Sequence, residues 1–170
     1  MALVLPAAGV YRAFADFSVE DTPHTLATDL FASGSFEPRP FPASTSVDRI
    51  SDYEVRLAGA SLTAGEPAAL RFLANKGGSE LTGIENYLGA KGHLVALREG
   101  DLAFLHVHPD GSAHDNGHGP AEGHSSEGGA PPNVIPYTAT FPTAGRYLLF
   151  LQFKHAGQVR TAQFTVSVTR

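Results

Sequence analysis

Gly92-His93-Leu94-Val95-Ala96-Leu97-Arg98-Glu99-Gly100-Asp101-Leu102-Ala103-Phe104-Leu105-His106-Val107-His108-Pro109 contains two alternating apolar runs around a Glu-Gly dipeptide. Successive side chains of a pleated chain leave on opposite faces, so period-two alternation reads as strand. A glycine between two such runs marks a tight reversal, and the stretch reads as an antiparallel hairpin. Working outward, the same alternation recurs over Tyr53–Ala58, Ala68–Ala74, Arg146–Lys154 and Thr161–Val168, with Pro136–Phe141 a shorter candidate. Turn chemistry punctuates these runs at Ala64-Gly65-Glu66-Pro67, Lys76-Gly77-Gly78 and Ala156-Gly157. The one helical suggestion is a short turn near Leu81–Leu88. About seven short strands therefore predict an all-β fold, an immunoglobulin-like antiparallel β-sandwich over 47–170.

The same hairpin carries the most informative chemistry. If Arg98 pairs with Asp101, His93 stands directly opposite His106, with Cβ atoms about 4.5–5.5 Å apart. His108 lies two residues beyond His106 and shares its face. A one-residue slip would remove His93 from that face, so the expectation depends on register. His155 is a fourth candidate, at the end of a strand whose Tyr147, Leu149, Leu151 and Phe153 share its face. Neutral imidazole binds copper(II), zinc and other divalent transition metals, so His93, His106, His108 and His155 form the candidate metal site. The alternative is that histidines near strand ends cap carbonyls or pair with carboxylates. His114, His118 and His124 fall in the Gly-, Ser- and Pro-rich stretch 110–132, which reads as a loop insertion, and are left out of the site.

Composition narrows the chemistry further. The 170 residues contain no cysteine, which excludes disulfides, thiolate nucleophiles and thiolate metal sites. Met1 is the only methionine, so thioether copper sites lose their usual ligand. Seventeen acids against twelve bases give a net charge of −5, without the basic footprint of a nucleic-acid partner. No apolar run reaches the roughly 18–20 residues that span a bilayer, and no signal peptide is written at the start. Phosphate-binding glycine loops and a Gly-x-Ser-x-Gly elbow are also absent from the sequence.

An internal repeat sets the domain organisation. Leu3–Phe17 laid over Ala139–Phe153 gives six identities in fifteen positions: Pro6/Pro142, Ala8/Ala144, Gly9/Gly145, Tyr11/Tyr147, Phe14/Phe150 and Phe17/Phe153. Chance supplies about one, and Thr25/Thr161 continues the register. Residues 1–36 thus read as the last β-hairpin of a preceding, similar domain, 37–46 as a Pro-rich linker, and 47–170 as the complete sandwich. Apolar strand faces are not left in water, so the hairpin is expected to pack on its own chain or on another copy's hairpin. The homodimer is slightly favoured, since two such hairpins could complete one sheet.

Two family likenesses follow from these residues. Tyr87-Leu88-Gly89-Ala90-Lys91-Gly92-His93-Leu94-Val95, Glu99 to Pro109, Phe141-Pro142-Thr143-Ala144-Gly145-Arg146-Tyr147 and Gln152-Phe153-Lys154-His155 resemble YtkA-like, CopC-related immunoglobulin-like domains of exported bacterial proteins. The resemblance covers roughly 50–170. It implies a sandwich fold, an extracytoplasmic location and a copper role, with binding, delivery or buffering of copper(II) or zinc as the expected function. Gly100, five residues and His106-Val107-His108 are similar to the first cupin motif, which implies a metalloenzyme as the alternative. That motif places a glutamate where Ser112 and Ala113 stand here, and the second cupin motif is missing. A structural or interaction β-sandwich without metal is the third reading.

Overall fold

The computed structural model describes residues 3–20, 22–59, 61–87, 90–107 and 130–170. Among them every regular element is a strand, in the order β1 (Gly9–Val19), β2 (Thr22–Ala32), β3 (Val47–Ile50), β4 (Tyr53–Gly59), β5 (Leu62–Thr63) and β6 (Pro67–Lys76). Then follow β7 (Ser79–Glu80), β8 (His93–Arg98), β9 (Phe104–Val107), β10 (Val134–Thr140), β11 (Gly145–His155) and β12 (Gln158–Thr169). No helix among the described residues is long and apolar enough to cross a membrane. The helical turn expected near Leu81–Leu88 does not form over its described residues. Leu81 is buried in the core instead, and Glu85 bridges the strand at Lys154.

The chain divides into two compact units, Met1–Phe41 and Pro42–Arg170, and the division falls inside the proline-rich stretch. The second unit is a β-sandwich. One sheet has the order β10-β6-β4-β3, with β7 on the end of β6; the other has the order β5-β12-β11-β8-β9. All pairings are antiparallel except the short one between β5 and β12. A central hairpin strand between its own partner and a crossover strand, with a short parallel strand at the edge, is the immunoglobulin-like arrangement.

Alternation explains why these segments face as they do. In β6, Ala68, Leu70, Phe72 and Ala74 are buried while Ala69 and Arg71 are not. Across the sandwich, Leu149, Leu151 and Phe153 of β11, Leu94 and Ala96 of β8, and Ala162 and Phe164 of β12 are wholly buried. Phe72 joins the two layers, its ring 5.2 Å from Phe164 across the sandwich, and Tyr137 of the neighbouring strand packs on it at 5.8 Å. Burial of one such side chain is worth about 1.5–3 kcal/mol, so this cluster dominates the stability of the unit.

The first unit is a single hairpin, and the repeat seen in the sequence holds in three dimensions. Gly9 and Gly145 open β1 and β11 with φ of 146° and 145°, a conformation that favours glycine. The turns that end these strands carry left-handed residues at matching places, Glu20 at 49° and Ala156 at 51°. Register is the same: Tyr11 pairs with Leu30 as Tyr147 pairs with Val166, and Phe17 with His24 as Phe153 with Arg160. Tyr11 donates its hydroxyl to the carbonyl of Ala7 at 2.9 Å, and Tyr147 donates to that of Thr143 at 2.9 Å. Both are tyrosine corners, in which the ring ties the entry of a strand to the backbone a few residues upstream.

Candidate functional site

The β8–β9 connection differs from the expected one. Arg98 does not pair with Asp101; its N–H donates to the carbonyl of Ala103 at 3.1 Å, and Glu99-Gly100-Asp101-Leu102 form the loop. The physical reason is the Asp101 side chain. Its carboxylate accepts the N–H of Ala103 at 3.1 Å and the Arg98 Nε–H at 3.0 Å, which holds Asp101 in the turn and out of the ladder. Leu102 takes the left-handed conformation, φ 54°, that closes the loop. As a result His106 pairs with Val95, not with His93. The displacement is two residues, so alternation is kept, and position 106 stays in phase with position 93. The last described pair is Leu94 with Val107, and His108 lies outside the described residues.

The Arg98 guanidinium holds the Asp101 carboxyl well below the usual carboxylate range, helped by the Ala103 N–H. A depressed folded-state pKa adds stability above the unfolded value, about 3.9, and loses it as pH falls toward the folded value. Asp101→Asn is therefore expected to be modestly less stable than the parent at pH 7. The gap in denaturation midpoint should narrow below about pH 4. A gap that is constant from pH 7 to 2 would show that charge plays no part in the turn.

His93 begins β8 on the face directed away from the core, opposite Gln152 of β11. Its Nε2–H donates to the carbonyl of Tyr87 at 2.8 Å, and the two rings meet edge to face at 5.5 Å. In the neutral ring this bond places the proton on Nε2 and the lone pair on Nδ1. Metal-binding imidazoles are commonly fixed in this way by a backbone carbonyl on the far nitrogen.

His155 has a different environment. It ends β11 on the core face, in phase with Leu151 and Phe153. Its Nδ1 and the hydroxyl of Tyr53, on the opposite sheet, share a hydrogen bond of 2.8 Å. Tyr53 is in turn covered by the Arg160 guanidinium, 4.1 Å from the ring centroid, and Arg160 donates to the His155 carbonyl at 2.6 Å. Glu85 braces the same corner. It accepts the Gly157 N–H at 2.7 Å and pairs with Lys154 at 3.2 Å, and these bonds lower its pKa. Here His155 serves as a clasp between the two sheets.

The structure places three of the four candidate ligands. His93 and His155 stand on opposite faces of one sheet, and three residues of β11 separate the Gln152 pairing from His155, about 10 Å along the strand. One ion does not reach both. His93 and His106 occupy adjacent strands in phase, while His108, His114, His118 and His124 lie outside the described residues. Among the described residues there is no group of three His, Asp or Glu side chains poised to hold a metal ion. Tyr53, Tyr87 and Arg160 were not singled out by the sequence. Tyr53 is 102 residues from His155, and no local pattern links them. Elsewhere, a cleft of about 450 Å³ lies between Ser44–Ser46, Leu57, Leu62 and Thr165–Ser167. None of the described residues that line it is a histidine or a carboxylate.

Residues 45–170 match a family described as a domain of unknown function, DUF8832. No curated protein and no solved structure matches the chain.

Proposed function

The chain belongs to the DUF8832 family, and we propose from its own residues that it binds a divalent transition-metal ion, copper(II) or zinc. The ligands in this proposal are His93 and His106, on the β8–β9 ladder, together with His108, while His155 keeps its structural contact with Tyr53. The observation that carries the reading is the Tyr87 carbonyl on His93 Nε2, which orients the ring with its lone pair on Nδ1. His106 supports it by its place in phase on the next strand. Without cysteine and with Met1 the only methionine, imidazole is the donor this chain offers in number for such an ion. The likeness to YtkA-like, CopC-related domains extends the proposal to an extracytoplasmic protein that binds, delivers or buffers the metal.

Titration of tag-free protein with copper(II) and with zinc tests this directly. Saturable binding is expected, with nitrogen hyperfine structure in the electron paramagnetic resonance spectrum of the copper form. Absence of saturable binding by either ion would overturn the proposal.

A further inference from the structure

We propose that the β1–β2 hairpin is a docking element that closes a second immunoglobulin-like sandwich, its partner being a polypeptide equivalent to residues 47–140 of this chain. The proposal rests on the match between β1–β2 and β11–β12 in strand limits, register, left-handed turn residue and tyrosine corner. So close a match states what the hairpin is shaped to meet. In β11–β12 the face bearing Tyr147, Leu149, Leu151, Phe153, Ala162 and Phe164 is buried against the opposite sheet. The outer edge of β11 meanwhile takes β8 in antiparallel pairing from Tyr147 to Gln152.

The corresponding face of the first hairpin carries Tyr11, Phe17 and Val19 on β1 and Leu26 and Leu30 on β2. Phe17, Val19 and Leu26 are 42%, 51% and 64% exposed, whereas Phe153 and Ala162 at two of the matching positions are fully buried. The other face is mixed, with Arg12 on Asp29 at 2.7 Å and Thr25 donating to Asp16 at 2.6 Å, beside the exposed Val10 and Phe31. The charged pair Arg12–Asp29 and the Asp16 carboxylate all lie on one face, and the face without them is the one that matches the core side of β11–β12. A two-stranded hairpin is at best marginally stable alone, so this apolar face requires a cover.

The cover must supply both an apolar sheet and an antiparallel strand for the β1 edge. A second copy's hairpin laid face to face supplies only the first. It covers about 35 Å by 10 Å on each side, roughly 700 Å² in total, below the roughly 1,200–2,000 Å² of a stable interface. The sandwich of this chain already holds β11–β12 in that role. A half-sandwich of the same type supplies both. Ala13, Ala15 and Thr28 stand where β11–β12 has Leu149, Leu151 and Phe164, so the partner's facing sheet carries bulkier side chains at those points.

Hydrogen exchange with light scattering on the full 170-residue chain is the first test. Amides of 10–19 are expected to exchange at least about a hundredfold faster than those of 146–154, despite their common register. Equal protection overturns the proposal: in a monomer the cover is the chain's own sandwich, and in a dimer it is a second copy. The second test extends the chain by placing another copy of 42–138 before Leu3, the residue that aligns with Ala139. Amides of 10–19 should then slow, and slow further with Ala13→Leu, Ala15→Leu and Thr28→Phe together, which restore the β11–β12 face. If they stay fast even in the triple variant, the half-sandwich is not the partner.

Discussion

Alanine at His93 is expected to lower the affinity for copper(II) or zinc at least about tenfold, while alanine at His155 leaves it within about twofold. The separation follows from the sheet. His93 is held on the outward face by the Tyr87 carbonyl, whereas His155 is held on the core face by Tyr53. Loss of a well-oriented ligand, or even of its supporting partner, typically costs 10–100-fold in metal affinity. His106→Ala and His108→Ala should fall with His93→Ala. Joint replacement of His114, His118 and His124 should change little. His155→Ala has its own signature, a loss of about 1 kcal/mol of folding stability as the Tyr53 hydroxyl loses its hydrogen bond. Isothermal titration and urea unfolding on the same preparations separate the two effects. Equal affinity losses at His93 and His155 would show that the ion is bound elsewhere.

What the sequence revealed and what it hid have distinct physical causes. β6, β8, β11 and β12 were legible because their alternation is strong and their turns carry glycine. The repeat was legible because glycine before a strand and tyrosine two residues later are local requirements of one corner, met at Gly9 and Tyr11 and again at Gly145 and Tyr147. β3 and β5 were not, since four and two residues carry no period. The β8–β9 register was misread because alternation cannot show a side chain that competes for the turn, as Asp101 does by accepting the Ala103 N–H. The sorting of His93 from His155 was hidden for another reason. β11 is apolar on both faces, with Leu148 and Phe150 half-buried outside and Leu149 and Leu151 buried inside, so hydrophobicity alone does not choose its core side. Pairing with β8 chooses it, and that pairing is long-range.

Gly92→Ala is expected to be among the most damaging single substitutions in the chain, although it adds one methyl group. Gly92 precedes His93 and is buried where β8 begins against β11. A Cβ there would stand 2.9 Å from the backbone carbonyl oxygen of Gln152 and 2.9 Å from the hydroxyl of Tyr137. Neither neighbour yields easily. Gln152 is fixed by its ladder to β8 and β12, and Tyr137 is wholly buried beside Phe72. Overpacking of this kind costs about 1–3 kcal/mol and sometimes more, and here the upper end is expected because one clash is with backbone. The Tyr137 hydroxyl is itself buried with no hydrogen-bond partner among the described residues, and burial pushes its pKa up. Tyr137→Phe removes an unpaired polar group and should be neutral or stabilising by up to about 1 kcal/mol. It also removes one of the two clashes. Gly92→Ala should therefore cost less in the Tyr137→Phe background than alone, with the remainder set by the Gln152 carbonyl. A double-mutant cycle read by urea unfolding measures this coupling. Strict additivity would mean that the Tyr137 hydroxyl is not what excludes a side chain at position 92.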